Sequence, residues 1–315
     1  MATTRTGSGL LICAGEFFFD FIFYGLAGPP RLGEELITDN FVLDLGGGAP
    51  ITATVAARLG RQVELVTVLG KSVLDAFALQ QMDRRGLRRT LVRQSGKFLM
   101  GGLTVAVSTA RDRYFLTANG ANEAVADHLL GPAVRAAMTR AQHVHFALSP
   151  RQWRRFPRML AGLRGRGVTT SWDMGWRPEA MRDPHFRSTL AAVDVLFMNE
   201  PEALRFANAK SIDHALQRLR TRGQTVVVKL GKRGAVADVD GRRVRATGMK
   251  VKAIETTGAG DAFDAGFLHL WMDGADLEQC LRAGNICGAL STRLPGGSAG
   301  APSAAELKRL MRRTV

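Results

Sequence analysis

The chain has 315 residues, of which 46% are hydrophobic and 23% charged, and its formal net charge is +15. This composition is that of a globular protein with a full core, and it excludes the disordered and fibrous classes. The positive charge would suit a nucleic-acid binder, but it is spread along the chain without a recognisable nucleic-acid-binding module. We therefore expect no specific nucleic-acid partner. The charge should instead attract anionic small molecules.

The first apolar run, from Leu10 to Leu26, superficially resembles a signal or membrane segment, but it carries Glu16 and Asp20. An acid at the centre of a membrane helix costs roughly 2.5–3.5 kcal/mol on insertion scales, so we expect no membrane association. The run is interpreted as one buried first strand that delivers Asp20 to a site. The three cysteines fit neither a disulfide framework nor a zinc site, and the sequence predicts a cytoplasmic protein.

Strands and helices alternate through most of the chain. The β-type runs that carry this alternation cover residues 63–69, 143–147, 168–172, 193–198 and 225–230. Near-continuous apolar strands separated by helices are typical of a parallel sheet with helices on both faces. The sequence therefore predicts an α/β fold, a three-layer sandwich with a central, mostly parallel sheet flanked by helices. A single domain is expected over residues 1–315.

Two segments, at about 21–45 and 97–117, break this alternation. They contain β-type runs over 36–43, 103–108 and 113–117 without intervening helices. Runs of this kind can pair directly with each other. They predict a small antiparallel sheet that stands off the core.

The most informative motif is Glu255–Phe267, in which Gly258, Ala259 and Gly260 precede Asp261 and an apolar helical pattern. A glycine turn that opens a helix presents unpaired backbone N–H groups and the positive end of the helix dipole, which suits a phosphate. Asp261 in the first turn could accept a proton from a hydroxyl beside that phosphate. The motif therefore indicates a phosphoryl-transfer centre. The alternative is a tightly packed helix start with an Asp as its cap.

This motif resembles the C-terminal signature of the ribokinase-like carbohydrate and nucleoside kinases of the phosphofructokinase B type. The resemblance runs from about residue 10 to residue 310. It implies an ATP-dependent kinase in which Asp261 is the catalytic base and the Gly258–Gly260 amides form an anion hole. It also implies that the small sheet is a lid over the substrate, a sheet that can serve as a homodimer interface.

The resemblance assigns further residues to the site. It implies that Asp20 and the glycines Gly46, Gly47 and Gly48 hold the acceptor, and that Asn199 and Glu202 organise a magnesium ion. For ATP it implies the turn with Lys229, Gly231 and Gly234, the adenine contact Asn285, and Arg177 near the phosphates.

Three positions depart from the family pattern. Glu255 replaces the Asp that usually lies near a monovalent cation, which puts a K+ ion in doubt. Ile51 stands where many members have a substrate-contacting Asn, and Leu148 stands where ribokinases have a sugar-contacting Glu. The acceptor pocket is therefore expected to be less polar than a ribose pocket, and D-ribose to be a poor acceptor.

We interpret the chain as a kinase that phosphorylates a hydroxyl of a small carbohydrate. A nucleoside kinase of the same fold is the main alternative, and a non-catalytic nucleotide- or sugar-binding protein is a weaker one. An NAD-dependent oxidoreductase is disfavoured because Phe263 occupies the third glycine position of a dinucleotide turn. The pattern does not distinguish one sugar or hydroxyl from another.

Overall fold

The computed structural model describes residues 9–28, 30–109, 113–149, 152–175 and 178–313. Thirteen strands lie in these ranges: β1 Leu10–Gly15, β2 Phe18–Leu26, β3 Phe41–Gly46, β4 Gln62–Leu69, β5 Arg88–Gln94, β6 Gly102–Thr109, β7 Arg113–Ala118, β8 His143–Ala147, β9 Thr169–Asp173, β10 Val195–Asn199, β11 Thr225–Lys229, β12 Ala235–Val239 and β13 Arg242–Ala246.

The same ranges contain twelve α-helices, joined in places by short 3-10 turns. They are α1 Gly48–Arg58, α2 Val73–Arg84, α3 Val125–Leu129, α4 Pro132–Met138, α5 Phe156–Arg164, α6 Pro178–Arg182, α7 Pro184–Leu190, α8 Glu200–Phe206, α9 Ile212–Leu219, α10 Ala259–Trp271, α11 Leu277–Ser291 and α12 Ala304–Arg313. Within the described ranges, none of these helices combines the length and apolar composition needed to cross a membrane.

The central sheet has the strand order β13-β12-β11-β10-β9-β8-β1-β4-β5. Neighbouring strands are parallel from β5 to β11, and β12 and β13 continue the sheet in antiparallel pairing. Side chains alternate between two cores: Ile12 and Ala14 face one, and Leu11 and Cys13 face the other. Helices cover both faces, so the predicted α/β sandwich is confirmed.

The interpretation of residues 10–26 as one strand is wrong. β1 ends at Gly15 in the central sheet, and β2 begins at Phe18 in a second sheet. Asp20 therefore belongs to this second sheet and not to the end of the first core strand. The crossing is held by Asn122, whose Oδ1 accepts from the Phe17 N–H at 2.9 Å and whose Nδ2 donates to the Phe17 carbonyl at 2.7 Å. The amide side chain thus takes the place of a strand partner where the chain changes sheets.

The second sheet has the order β3-β2-β6-β7 and is called the lid sheet below. It is mixed and not purely antiparallel, because β2 pairs with β6 in parallel. The run predicted over 36–43 becomes a strand only from Phe41, and the segments of the lid extend over 18–46 and 102–118. The Asn40 N–H bonds to the Thr38 hydroxyl at 3.1 Å, a local side-chain contact that competes with strand pairing.

Candidate active site

The carboxyl ends of the central parallel strands border a cavity of about 770 Å3. Asp173 ends β9, Asn199 ends β10 and Lys229 ends β11, and all three line this cavity. In open α/β sheets ligands bind at this edge, because connecting loops and helix starts converge there. The cavity is therefore the candidate active site.

The glycine motif forms the start of α10 at the floor of the cavity. Gly258 has a φ of 71° in the left-handed region, and Ala259, Gly260 and Asp261 form the first turn of the helix. A Cβ atom on Gly258 would lie 2.6 Å from the Gly297 Cα and 2.8 Å from the Ile51 Cδ1. Both the conformation and the packing therefore require glycine here. Ala259, Gly260 and Asp261 line the cavity, whereas Gly258 does not.

Asp261 is partly buried, and its environment favours the neutral acid. Burial and, to a smaller extent, the charge of Asp173 raise the pKa of Asp261 to about 7, and the Lys229 ammonium opposes this shift. The Thr52 hydroxyl donates to the backbone carbonyl of Asp261 at 3.1 Å and ties α1 to α10. A carboxyl group with a pKa near neutrality is well matched to proton transfer at physiological pH.

Behind Asp261, Lys229 lies between two carboxyl groups. Its Nζ donates to Asp173 Oδ2 at 2.7 Å and to the two oxygens of Asp264 at 3.1 and 3.2 Å. Burial acts against the charge of Lys229, but Asp173 and Asp264 outweigh it and raise the pKa of the ammonium. Oxygens of Asp173, Asp261 and Asp264 lie within 4.8 Å of one another, a spacing that a cation would also suit. The ammonium supplies that positive charge.

Glu202 and Asn199 form a reciprocal cap at the start of α8. The Glu202 N–H donates to Asn199 Oδ1 at 2.9 Å, and the Asn199 N–H donates to Glu202 Oε2 at 2.8 Å. Burial, followed by the charge of Asp173, raises the pKa of Glu202 to about 7. Both residues line the cavity, and a carboxylate beside an amide oxygen is a donor set that fits magnesium. A cation there would also offset the repulsion between Glu202 and Asp173.

Most of the residues expected to bind ATP also line the cavity. Gly231, Gly234 and Asn285 line the cavity together with Lys229. A Cβ on Gly234 would lie 2.0 Å from the Ala246 carbonyl oxygen, so only glycine allows this turn to approach the end of β13. Asn285 Nδ2 donates at 3.1 Å to the carbonyls of Ala246 and Thr247. Arg177 lies outside the described residues.

The residues expected to hold the acceptor lie where the lid sheet meets α1. A Cβ on Gly46 would lie 2.0 Å from the Asp20 Cγ, and a Cβ on Gly48 would lie 2.9 Å from the Asp261 Oδ1. Gly47, with a φ of 88°, passes the Glu16 carbonyl equally closely. Burial, then the nearby charges of Asp44 and Asp261, raises the pKa of Asp20. Gly48 lines the cavity, whereas Asp20, Gly46 and Gly47 do not.

The departures from the family pattern fall in different places. Leu148 lines the cavity, whereas Ile51 packs against the turns at Gly258 and Gly297. Glu255 is buried, and its Oε1 accepts from the N–H and hydroxyl of Thr257 at 2.7 and 2.6 Å. Among the described residues, the other oxygen of Glu255 has no hydrogen-bond partner. Whether a K+ ion binds near Glu255 stays a prediction.

Several residues at the site were not selected as site residues from the sequence, and four of them carry charged side chains that bear on the chemistry. Asp173 and Asp264 bracket Lys229, Glu16 lines the cavity after β1, and Arg113 of the lid lines it while contacting Thr256. Asp264 carried a usable signal, because it lies one helical turn after Asp261 inside the same motif. Glu16 also carried a signal, because it directly follows the core strand β1, and its N–H donates to the Ala147 carbonyl at the end of β8 at 3.1 Å. Arg113 carried none, since its approach depends on how the lid sheet is placed.

Comparisons with known proteins identify the family and the fold. The pfkB family carbohydrate kinase profile matches residues 9–304. An ATP-dependent ribose-1-phosphate kinase of Halopiger xanaduensis is 30% identical over 261 residues, which cover 82% of this chain and 83% of the relative.

Two solved structures have the same fold. The nucleoside kinase of Methanocaldococcus jannaschii superposes with a TM-score of 0.79 at 20% identity, covering 98% of this chain and 100% of the other. A protein of E. coli assigned as a ribokinase II, solved with ATP and Mg2+, gives 0.79 at 20% identity over 96% and 98% of the two chains. Because the family profile spans nearly the whole sequence, from β1 to the start of α12, the chain belongs to the pfkB family of carbohydrate kinases, phosphotransferases with a hydroxyl acceptor.

Proposed function

We propose that this protein transfers the γ-phosphoryl group of ATP to a hydroxyl group of a small carbohydrate, with Asp261 as the general base. The observation that carries the proposal is the position of Asp261, at the floor of the cavity in the first turn of α10, with a pKa of about 7. The acceptor oxygen attacks the γ-phosphorus while its proton passes to Asp261. The bond to the β-phosphate oxygen breaks, and ADP leaves.

The start of α10 supports a second part of the proposal. The N–H groups of Gly258, Ala259 and Gly260 belong to the turn that opens the helix, where the first amides lack acceptors within the helix. The Ala259 N–H donates to the Thr256 carbonyl at 3.3 Å, a bond that an incoming phosphate would replace. Together with the helix dipole these N–H groups stabilise the charge that develops on the transferred group. The Lys229–Gly234 turn and Asn285 bind the rest of ATP.

The acidic residues around the cavity fit a magnesium ion held by Glu202 and Asn199. When bound, such an ion neutralises charge on the ATP phosphates. Burial and the charge of Asp173 raise the pKa of Glu202, and a bound cation would stabilise its carboxylate form. We place Asp20 and the backbone of Gly46–Gly48 around the acceptor, since Gly48 already lies against the Asp261 carboxyl group.

A sugar is the favoured acceptor, and a nucleoside is the second candidate. The apolar Leu148 in the cavity wall suits either a deoxygenated sugar face or a base, and relatives of both kinds share the fold. A coupled assay of ADP release across sugars, sugar phosphates, sugar acids and nucleosides would identify the acceptor. The proposed function would be contradicted if none of these compounds caused ADP release, or if the rate of ADP release were the same with and without an acceptor.

D-ribose is expected to be a poor acceptor in the same assay. A buried ribose hydroxyl beside Leu148 would lack a hydrogen-bond partner, and each unpaired polar group costs roughly 1–3 kcal/mol, or about ten- to a hundredfold in affinity. The measurement is the KM for ribose relative to the other acceptors. A KM for ribose as low as that of the best acceptor would show that Leu148 does not face the acceptor.

The lid sheet supports a proposal about assembly. Its edge strand β7 exposes Tyr114, Phe115 and Leu116 by 51%, 47% and 70%. An exposed apolar strand at a sheet edge is a ready surface for pairing. We propose that two copies of the chain dimerise through this strand.

A further inference from the structure

The Lys229 ammonium is enclosed by groups from three separate elements. The lysine ends β11, Asp173 ends β9, and Asp264 belongs to α10. The side chain of Lys229 is 12% exposed, that of Asp173 13% and that of Asp264 fully buried. An ion pair that links three elements in a buried setting fixes their relative positions, since breaking it would leave charges uncompensated.

The ammonium also abuts the first turn of α10 directly. Its Nζ lies 3.5 Å from the Gly260 carbonyl oxygen, and a Cβ on Gly260 would lie 3.1 Å from it. Asp264 follows Asp261 by three residues and therefore lies on the same side of the helix. The strand ends are thus joined to α10 one turn away from the base.

These contacts occupy all three N–H donors of the Lys229 ammonium. Its three N–H groups face Asp173, Asp264 and the Gly260 carbonyl, which leaves no donor directed at a nucleotide phosphate. Lys232, in the same turn, is exposed and lines the cavity. It is therefore the better placed of the two lysines for direct contact with a phosphate.

We propose that Lys229 and Asp264 form a positioning pair that holds the first turn of α10, and with it Asp261, against the ends of β9 and β11. The inference rests on the proposed function, because the pair acts through Asp261. It reassigns Lys229 from nucleotide contact to alignment of the base. Proton transfer needs a base within hydrogen-bond reach, and a displacement of about 1 Å can cost about a hundredfold in rate.

The test is a double-mutant cycle between Lys229→Met and Asp261→Asn. In the native background Lys229→Met should lower kcat by about a hundredfold, with the KM for ATP changed by less than about threefold. In the Asp261→Asn background the same substitution should lower kcat by less than about twofold, because residues that act as a unit are not additive. Lys210→Met, at an exposed lysine outside the cavity, is the matched control.

Asp264→Asn repeats the cycle with a side chain of the same shape, in case Lys229→Met does not fold. It should lower kcat by about tenfold in the native background, a smaller loss because Asp173 still holds the ammonium, and by less than about twofold in the Asp261→Asn background. Urea unfolding supplies a readout besides activity. Lys229→Met, which leaves the buried carboxyl groups of Asp173 and Asp264 without their cation, should unfold at lower urea than the double variant Lys229→Met/Asp264→Leu.

Each alternative gives a different result. A large rise in the KM for ATP with kcat retained would make Lys229 a nucleotide ligand and overturn the inference. An equal loss of kcat in both backgrounds would also overturn it, yet would leave the proposed function intact. Absence of phosphoryl transfer by the native chain would remove the proposed function itself and the positioning role with it.

Discussion

The carboxyl edge of the central sheet and the outer strand of the lid sheet depart from ordinary protein surfaces in opposite ways. At the sheet edge, ionisable groups are withdrawn from water: Asp264 is fully buried and Glu202 nearly so. In the lid, apolar side chains such as Leu116 are left in water. Each arrangement costs free energy in the isolated chain.

The comparison teaches that both costs indicate function, but of different kinds. Buried carboxyl groups with raised pKa values are typical of sites that move protons or bind cations. An exposed apolar strand edge is typical of a surface that contacts another molecule. Variants at the two regions should therefore fail differently, one in turnover and the other in assembly.

The largest effect is expected from Asp261→Asn. Loss of a general base lowers turnover by roughly 10²–10⁴-fold, while ATP binding is retained. Steady-state kinetics and nucleotide titration measure the two quantities. Glu278→Gln, at an exposed position of α11, removes a carboxylate without approaching the cavity. Near-native turnover in the Asp261→Asn variant would exclude Asp261 as the general base.

Gly258→Ala should be the next most damaging change. Alanine in the left-handed region costs about 1–2 kcal/mol, and its Cβ would also collide with Gly297 and Ile51. The displaced amides should lower kcat by about tenfold to a hundredfold. Gly274→Ala is the matched control, since its φ is 79° but nothing lies within 4 Å of its Cβ. Equal urea stabilities for the two variants would contradict a role for packing at Gly258.

The pH dependence tests the buried edge without any substitution. The pKa of Asp261 is raised to about 7, so the carboxylate that accepts the proton is lost as the pH falls through 7. The kcat/KM for the acceptor should therefore decrease about tenfold for each pH unit below 7. Glu202 titrates in the same range and steepens the decrease. A profile that is flat down to pH 5 would show that neither group controls the reaction.

The smallest effect on chemistry is expected in the lid. Leu116→Glu places a charge in the proposed dimer strand and should weaken self-association by about tenfold or more, as at the centre of an interface. Sedimentation velocity at several concentrations measures it, with turnover per chain largely retained. Val73→Glu, at an exposed position of α2, is the control. A native chain that is monomeric at all concentrations would remove the dimer proposal.

Much of the fold could be predicted because its signals are local. The parallel strands with buried faces read as apolar runs, and the start of α10 is marked by glycines whose conformation other residues avoid. The sequence analysis did not predict strands β5, β12 and β13. The sequences of β5 and β13 are rich in arginine and expose much of their length, so their pairing depends on neighbours and not on apolar content.

The sequence by itself determined the family and the α/β alternation, and it predicts the position of the proposed base, since these depend on short patterns within one segment. Only the tertiary structure decided that Asp20 belongs to the lid, and that Lys229 faces Asp173 and Asp264. The two contacts of Lys229 join residues that are 56 and 35 positions apart. Electrostatic environment is a property of distance in space, which the order of residues along the chain does not encode locally.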